Sequence, residues 1–504
     1  MAKSQRKTGM LLSYSSSLLL AAVNIFLTPF LISSLGQVEY GIYQSMASFA
    51  GYLVLLNFGT GTVMTRYVSM YLGKGDKKNE RNYIAMCLII TGVLAVIIAG
   101  ISMGMYFSLD SLYAGTIEPH RMIRAKTIFL VVTANVIMTL VAQAFQGIIT
   151  AYERFNFTGI WNIARVLLKV VLLVSIFYFW KNSMVIALVD FSLTCFFTLL
   201  CIGFCIFKLK ATPKLYKFDK KIFASSATFS LAIMLQSLVN QVNSHVDVTI
   251  LGAKISQESV TKYTVAMQVF SIFSTLSTAA ISIYLPKFTK LITSGEATGE
   301  VITKEMVAPS RIQTLVSGTI MFGFLVCGRD FIYMWMGEGF SVSWWIAIII
   351  LVPSFLVYTN GIVVSVLDAM QKRLVRSVVL ACVAVANVIV SIFLVGVFGE
   401  MGAPIGTAIA TIVGSFVIMN IYYKKAIGIK IGMLFRNIFK GILPCFIIAT
   451  AATLPATFLI PVSTAGLFVK GGIFVAALGV TLLLFGFNKE EKALVLKPFR
   501  RGKR

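Results

Sequence analysis

This 504-residue chain is short of charge: only 12% of its residues are Asp, Glu, Lys or Arg, where soluble domains carry about a quarter. So little charge cannot cover a water-facing surface, and no soluble domain fits. The longest polar gap, Pro286 to Arg311, is expected to be a loop. Acids are scarcest, 19 against 44 basic residues, with two histidines. A polymerase or glycosyltransferase would show clustered acids in large polar loops, and none is present. No Gly-x-x-x-x-Gly-Lys loop occurs, which argues against ATP hydrolysis by this chain. No Ser–His–Asp order stands out, so an enzyme is not expected. The seven cysteines, Cys87, Cys195, Cys201, Cys205, Cys327, Cys382 and Cys445, all fall in apolar segments without metal-ligand spacing. They read as small buried hydrophobes. Neither a disulfide, a metal nor a cofactor is expected.

What the chain does have is hydrocarbon, with 58% hydrophobic residues. About fourteen stretches are apolar and long enough to cross the ~30 Å core of a bilayer. They run roughly over 10–34, 40–66, 82–108, 126–150, 159–180, 184–207, 222–252, 262–285, 312–336, 343–367, 376–398, 402–423, 437–459 and 466–487. Lipid obliges every backbone group to find an internal partner, so the expected fold is all-α, a polytopic membrane protein of about fourteen transmembrane helices. The opening "MAKSQRKTG" and the run from Met10 to Leu35 are too long for a signal peptide and read as a retained first span.

Basic residues set the orientation. Assigned to alternating sides, 34 Lys and Arg fall at the termini and in the even-numbered gaps. Eight count with the odd-numbered gaps and the span edges beside them, Lys470 near the start of span 14 among them. The positive-inside rule then places both termini in the cytoplasm. The same spread disposes of nucleic acid as a partner. Loops such as 208–221 and the tail 497–504 read as topology determinants that meet anionic membrane lipids. The stretch 212–224 has a weak amphipathic pattern of a surface helix.

Two segments look alike. Residues 32–46, "ISSLGQVEYGIYQSM", and 248–268, "VTILGAKISQESVTKYTVAMQ", each carry Leu-Gly at the end of an odd-numbered span. A polar loop and a Tyr opening the next span follow in both. Transporters are often built from such repeats, with the substrate between them. The expected organisation is two pseudo-symmetric six-helix lobes, 1–210 and 211–425, plus two extra helices and a basic cytoplasmic tail, 426–504.

The stretch 28–69 resembles the first two spans of the polysaccharide-biosynthesis flippases of the multidrug/oligosaccharidyl-lipid/polysaccharide exporter superfamily. The likeness rests on Pro29-Phe30, Leu35-Gly36, Tyr40-Gly41-Ile42-Tyr43, Asn57-Phe58-Gly59 and Arg66. "HVDVTILG" at 245–252, Tyr263 and "YLPKFTKL" at 284–291 extend it. Asn57 stands where the family commonly has an acid, so no ion-coupling carboxylate is expected there. The resemblance implies a bacterial inner-membrane flippase. It would move polyprenyl-pyrophosphate-linked oligosaccharide from the inner to the outer leaflet by alternating access, alongside glycan polymerase machinery. Alternatives are a cation-coupled multidrug exporter of the same superfamily and a non-transporting scaffold for glycan assembly.

Within span 5, Arg165 and Lys169 lie four apart with Asn162 on one stripe. Each charge at that depth costs roughly 2.5–3.5 kcal/mol. Either they face a cavity and meet a pyrophosphate, or they are structural, with Asp190 of span 6 as a partner about 10 Å higher by helical rise. Gln236, Asn240, Asn243 and Asp247 form a polar stripe on span 7, as sugar contacts or as interhelical glue. Gln143 and Gln146 of span 4 read the same way, and Arg66 joins the candidate substrate set. His245, Asp247 and Asp190 are candidates for ion coupling.

Overall fold

A computed structural model describes residues 2–278, 281–295, 297–370, 372–488 and 491–492. The side chains of Gln236, Asn240 and Asn243, and the tail 497–504, lie outside the described residues. Packing divides the chain into two compact units, Met1–Thr264 with Phe398–Glu400, and Val265–Val397 with Met401–Arg504. The division at 210 and 425 follows the repeat instead, and span 7 packs within the first unit.

In the first unit the helices are α1 (Ala2–Leu35), α2 (Gln37–Gly51), α3 (Thr60–Gly73), α4 (Lys77–Leu112), α5 (Pro119–Ala151), α6 (Phe155–Phe179), α7 (Ser183–Gly203) and α8 (Lys220–Lys254). The helix α9 (Gln257–Thr278) begins in it. The second holds α10 (Leu285–Thr293), α11 (Gly299–Met336), α12 (Ser341–Thr359), α13 (Val363–Ala369), α14 (Arg373–Phe398), α15 (Gly402–Ala410), α16 (Met419–Ile427), α17 (Ile431–Phe439), α18 (Ile442–Leu459) and α19 (Thr464–Thr481). The described residues form no strand. Each expected span falls on one or more of these helices, and among the described residues ten helical stretches are long and apolar enough to cross a membrane. Phe26, Phe107, Phe179, Phe458 and Phe485 are exposed, an apolar surface that water would not tolerate. The protein is a multi-pass helical membrane protein.

Three expectations change. The polar gap from Pro286 to Arg311 is mostly helix rather than loop, as α10 and the first turns of α11. Polarity does not forbid a helix: the Thr298 hydroxyl accepts the Val301 N–H at 3.3 Å as an N-cap, and Glu300 pairs with Lys304 one turn on. Residues 212–219 are not helical, and 220–224 open α8. Asn82 straps 212–219 down, accepting from the Tyr216 and Lys217 N–H groups at 2.7 and 3.0 Å and donating to the Lys217 carbonyl at 2.8 Å. Finally, Cys382 is exposed and three other cysteines are half-buried; only Cys201, Cys205 and Cys445 are fully buried.

The two similar segments meet in the first unit. The Thr261 hydroxyl donates to the Gln37 carbonyl at 2.6 Å, and Ser45 donates to the Gln257 side chain at 2.7 Å. A Cβ on Gly41 would collide with the Gln257 carbonyl. The glycine in the first copy therefore permits contact with the second.

The second span is not one helix. It runs as α2, a 3-10 turn at Tyr52–Asn57, and α3. Phe58 and Gly59 take left-handed backbone angles, φ 50 and 64, which end one helix and redirect the chain before the next.

Candidate functional site

The redirected helix α3 crosses α5 at Gly61 and Gly147. A Cβ at Gly61 would lie 2.8 Å from the Gln143 carbonyl, and one at Gly147 would strike the Gly61 carbonyl. The Thr65 hydroxyl bonds both the Gly61 and Gly147 carbonyls, at 2.9 and 3.0 Å. Gly147→Val should therefore prise the helices apart, at a cost of about 1–3 kcal/mol for overpacking. A lowered thermal midpoint in detergent micelles would report it, and Gly104→Val, where a Cβ meets nothing within 4 Å, is the control.

Next to this crossing lies a cavity of about 650 Å³. Gly59, Gly61, Thr62, Thr65 and Arg66 line it from α3 and its start, and Gln143, Gln146, Gly147 and Thr150 from α5. Both sets repeat at three and four residues, so each is one stripe of a helix. Arg66 is the only charged side chain among the described lining residues, and it is exposed. Its guanidinium carbon lies 5.8 Å from the Tyr67 ring centroid, within cation–π range. Gln143 accepts a hydrogen bond from the Asn57 amide, and Asn57 in turn accepts from the Thr60 hydroxyl at 2.7 Å. Asn57 thus ties the 3-10 turn to the start of α3 and to α5. Chemically the cavity offers one planar cation, three hydroxyls and two amides. That set suits a ligand carrying both a phosphate and sugar hydroxyls.

Of the residues singled out in the sequence, Arg66, Gln143 and Gln146 come together here. Arg165, Lys169 and Asn162 do not line this cavity. They stand on α6, which packs on α1 and α7. Lys169 Nζ reaches Asp190 at 2.8 and 2.9 Å. Arg165 donates to the Thr194 hydroxyl at 2.7 Å, and Asn162 is exposed. The 10 Å offset expected between Lys169 and Asp190 is corrected by the hairpin. Both are counted from the same short turn at Trp180–Asn182, which leaves about three residues, or ~4.5 Å, between their levels. A lysine side chain spans that. Asp190 also accepts from the Tyr43 hydroxyl at 3.3 Å, so this carboxylate ties α2, α6 and α7.

His245 and Asp247 point apart. Asp247 is buried and accepts from the Tyr263 hydroxyl at 2.6 Å. The His245 ring lies edge-on to Tyr52 at 6.2 Å and fills the space a Cβ on Gly51 would need, 2.6 Å from Nε2. Two residues apart on a helix place side chains about 200° apart, so the pair forms no direct relay.

Two buried cations among the described residues escaped the sequence reading. Lys470, counted there with the outer side, is only 1% exposed inside α19 and meets Asp330 of α11 at 2.5 Å. Arg311, taken as the end of a loop, is 2% exposed on α11. It donates to both Glu491 carboxylate oxygens, at 2.7 and 3.0 Å, and to the Asn437, Lys440 and Gly486 carbonyls. A signal existed in both cases, a lone cation in an apolar or helical stretch with an acid elsewhere, but nothing in the sequence joins partners 140 or 180 residues apart.

The model of one protein family, described as polysaccharide biosynthesis protein, matches residues 7–292. The chain belongs to the polysaccharide biosynthesis protein family. The likeness spreads beyond the matched part. An uncharacterized membrane protein of Bacillus subtilis, EpsK, is 19% identical over 96% of each chain. A putative O-antigen transporter of Salmonella typhi is 23% identical over 54% of this chain and 62% of its own length. Among solved structures, the lipid II flippase MurJ in an inward closed conformation superimposes with a TM-score of 0.71. That match covers 98% of this chain and 100% of the other at 14% identity. An inward-facing multidrug MATE transporter gives 0.62 over 81% of this chain and 98% of its own, at 16% identity. At these identities the superpositions establish a shared fold, and this family member has it.

Proposed function

We propose that this member of the polysaccharide biosynthesis family is a flippase for polyprenyl-pyrophosphate-linked oligosaccharide. It moves its substrate from the inner to the outer leaflet of a bacterial cytoplasmic membrane, with both termini in the cytoplasm. A diphosphate cannot cross hydrocarbon unaided, because stripping water from its charge costs far more than thermal energy. A protein that carries it must offer replacement partners on the way. The observation that carries this reading is the α3–α5 cavity, in which Arg66 stands with Gln143, Gln146, Thr62, Thr65 and Thr150 and no acid among the described lining residues. In this reading Arg66 grips the diphosphate and the amides and hydroxyls meet the sugar. Two relatives support it, the putative O-antigen transporter of Salmonella typhi and a probable low-salt glycan biosynthesis flippase of Haloferax volcanii that is 24% identical over 44% of this chain and 46% of its own length. Transport proceeds by alternating access of the two repeat-related lobes, 1–210 and 211–425, with 426–504 as an appended pair of spans and a tail. A pump for cationic drugs would need a carboxylate where this cavity has Arg66.

The test is translocation of a defined lipid-linked oligosaccharide by the full chain in vesicles. Arg66→Ala should cut the initial rate roughly 10–100-fold, the equivalent of a lost charge-assisted hydrogen bond, without lowering the thermal midpoint. Arg66→Lys should recover only part, since it keeps the charge and loses the fork. Lys169→Ala should instead lower the midpoint, and Lys169→Ala with Asp190→Ala should regain it. Full transport in Arg66→Ala would end this assignment of the head-group site.

A further inference from the structure

A second cavity, of about 500 Å³, lies against the opposite face of α3, walled by α4 and α8. Phe58, Val63, Met64, Ile90 and Leu94 are among its lining residues. Three of the hydroxyls that reach it are already engaged by the protein. Thr60 donates to Asn57 at 2.7 Å, Thr91 donates to the Cys87 carbonyl at 2.8 Å, and Ser226 shares a 3.0 Å hydrogen bond with Tyr83. Apart from these hydroxyls and Ser230 its described lining side chains are apolar or belong to Cys87, so the chamber favours an apolar guest over water, which needs two to four polar partners to be held in place. A dry apolar cavity of about 150 Å³ already binds benzene; this one has roughly three times that room.

The two cavities share one node. Gln143 lines the polar cavity and Thr60 the apolar one, and both hydrogen-bond Asn57. Adjacent residues of the redirected turn divide the same way, Phe58 into the apolar cavity and Gly59 into the polar one. An amphipathic ligand gripped by its diphosphate at Arg66 therefore has an apolar chamber within a helix diameter of its head. We propose that the apolar cavity binds the diphosphate-proximal isoprene units of the polyprenyl carrier, so that α3 separates head from chain. This rests on the flippase reading, since it takes the carrier as the ligand of the Arg66 cavity. Met64 and Phe58 suit a methyl-branched chain, the first because an unbranched thioether adapts to irregular neighbours.

Cys87 lines the apolar cavity and makes it testable. In a full-length variant that keeps Cys87 and replaces the other six cysteines, alkylation by N-ethylmaleimide is timed in vesicles. A long-chain polyprenyl diphosphate at ten times its dissociation constant should slow the reaction about tenfold by occupancy alone. Sodium pyrophosphate, which has a head and no chain, should not. Dioleoyl phosphatidate should not either, and equal protection by it would overturn the prenyl assignment in favour of any acyl chain. Because removing six cysteines could unfold the protein, a second measurement uses the otherwise unaltered chain. Ala227→Trp, which fills the cavity, should weaken polyprenyl diphosphate binding about tenfold through overpacking and leave pyrophosphate binding unchanged. Unaltered Cys87 reactivity, or full polyprenyl diphosphate affinity in Ala227→Trp, with pyrophosphate still bound in an Arg66-dependent manner, overturns the chain site and leaves the flippase reading standing. Loss of Arg66-dependent pyrophosphate binding in the unaltered protein defeats both.

Discussion

Lys470→Met is expected to destabilise the second unit by about 3–5 kcal/mol, the cost of stranding a buried charge without its partner. The geometry leaves little room for relief. Lys470 is 1% exposed and the Asp330 side chain 8%, so water cannot readily solvate the carboxylate left behind. The pair links α19 to α11, and the apolar residues Val326, Phe446, Phe474 and Leu478 cluster around the α11–α18–α19 packing. Thermal unfolding of the purified variant in detergent micelles gives the measurement. The informative partner is Lys470→Met with Asp330→Leu. Replacing both ions by apolar groups of similar volume is often neutral or stabilising, so the double variant should recover most of the loss. A single variant as stable as the parent would mean that the ion pair is solvated in the protein and the burial argument is wrong.

Arg311→Met should cost a comparable amount, about 3–5 kcal/mol, for a different reason. The guanidinium closes the ends of two helical segments at once. It satisfies the Asn437 carbonyl at 3.0 Å and that of Lys440 at 2.9 Å, where α17 ends, and the Gly486 carbonyl at 2.8 Å, where the last membrane helix ends. Helix C-termini leave carbonyls without intrahelical donors and carry partial negative charge, so one buried cation serves both. Its remaining donors take Glu491, which also accepts the Asn488 N–H at 2.8 Å. Burial raises the Glu491 carboxyl, but the Arg311 and Asn488 hydrogen bonds and the Arg311 charge outweigh it and hold the pKa below the usual carboxylate range. A lowered folded-state pKa stabilises fully above the unfolded value of about 4.3 and is lost as pH falls through the folded one. Melting midpoints should therefore be flat from neutrality to about pH 5 and fall only below about pH 4. Glu491→Gln should lose that acid-side contribution while keeping the three carbonyl contacts, and so cost less than Arg311→Met. An equal loss in the two variants would place the energy in the ion pair rather than in the helix ends.

Both residues show where a one-dimensional reading fails. Arg311 sits at the edge of a polar gap that reads as loop from its composition, yet polarity and helix formation are separate properties. Thr298 caps the helix, and Arg311 lies well inside α11. Lys470 counts with the outer side because it falls near the drawn start of span 14, where a lysine ordinarily reaches water. Span positions alone place Asp190 about 10 Å above Lys169 because each depth is counted from its own drawn span end. A shared hairpin turn removes most of that error. In each case the partner decides the meaning of the charge, and partners are set by helix packing.

The legible part had local causes. Long apolar runs cannot be solvated, so they become helices in lipid whatever their neighbours. The pattern Leu35-Gly36 with Tyr40-Gly41 recurs near Gly252 and Tyr263 because each copy must turn a corner, and the corners can touch only where Gly41 leaves room for the Gln257 carbonyl. Gln143, Gln146 and Arg66 were visible as polar groups in apolar surroundings.

By itself, then, the sequence determined a multi-pass helical membrane protein of this family and its stock of polar groups, since burial of apolar runs depends on composition and length alone. Only the tertiary structure decided that Arg66 shares a cavity with Gln143 and Gln146 while Lys169 is held by Asp190. Which side chains meet depends on how α3 is redirected at Phe58–Gly59 and how closely Gly61 and Gly147 let two helices cross. Those are properties of backbone geometry and packing between segments distant along the chain.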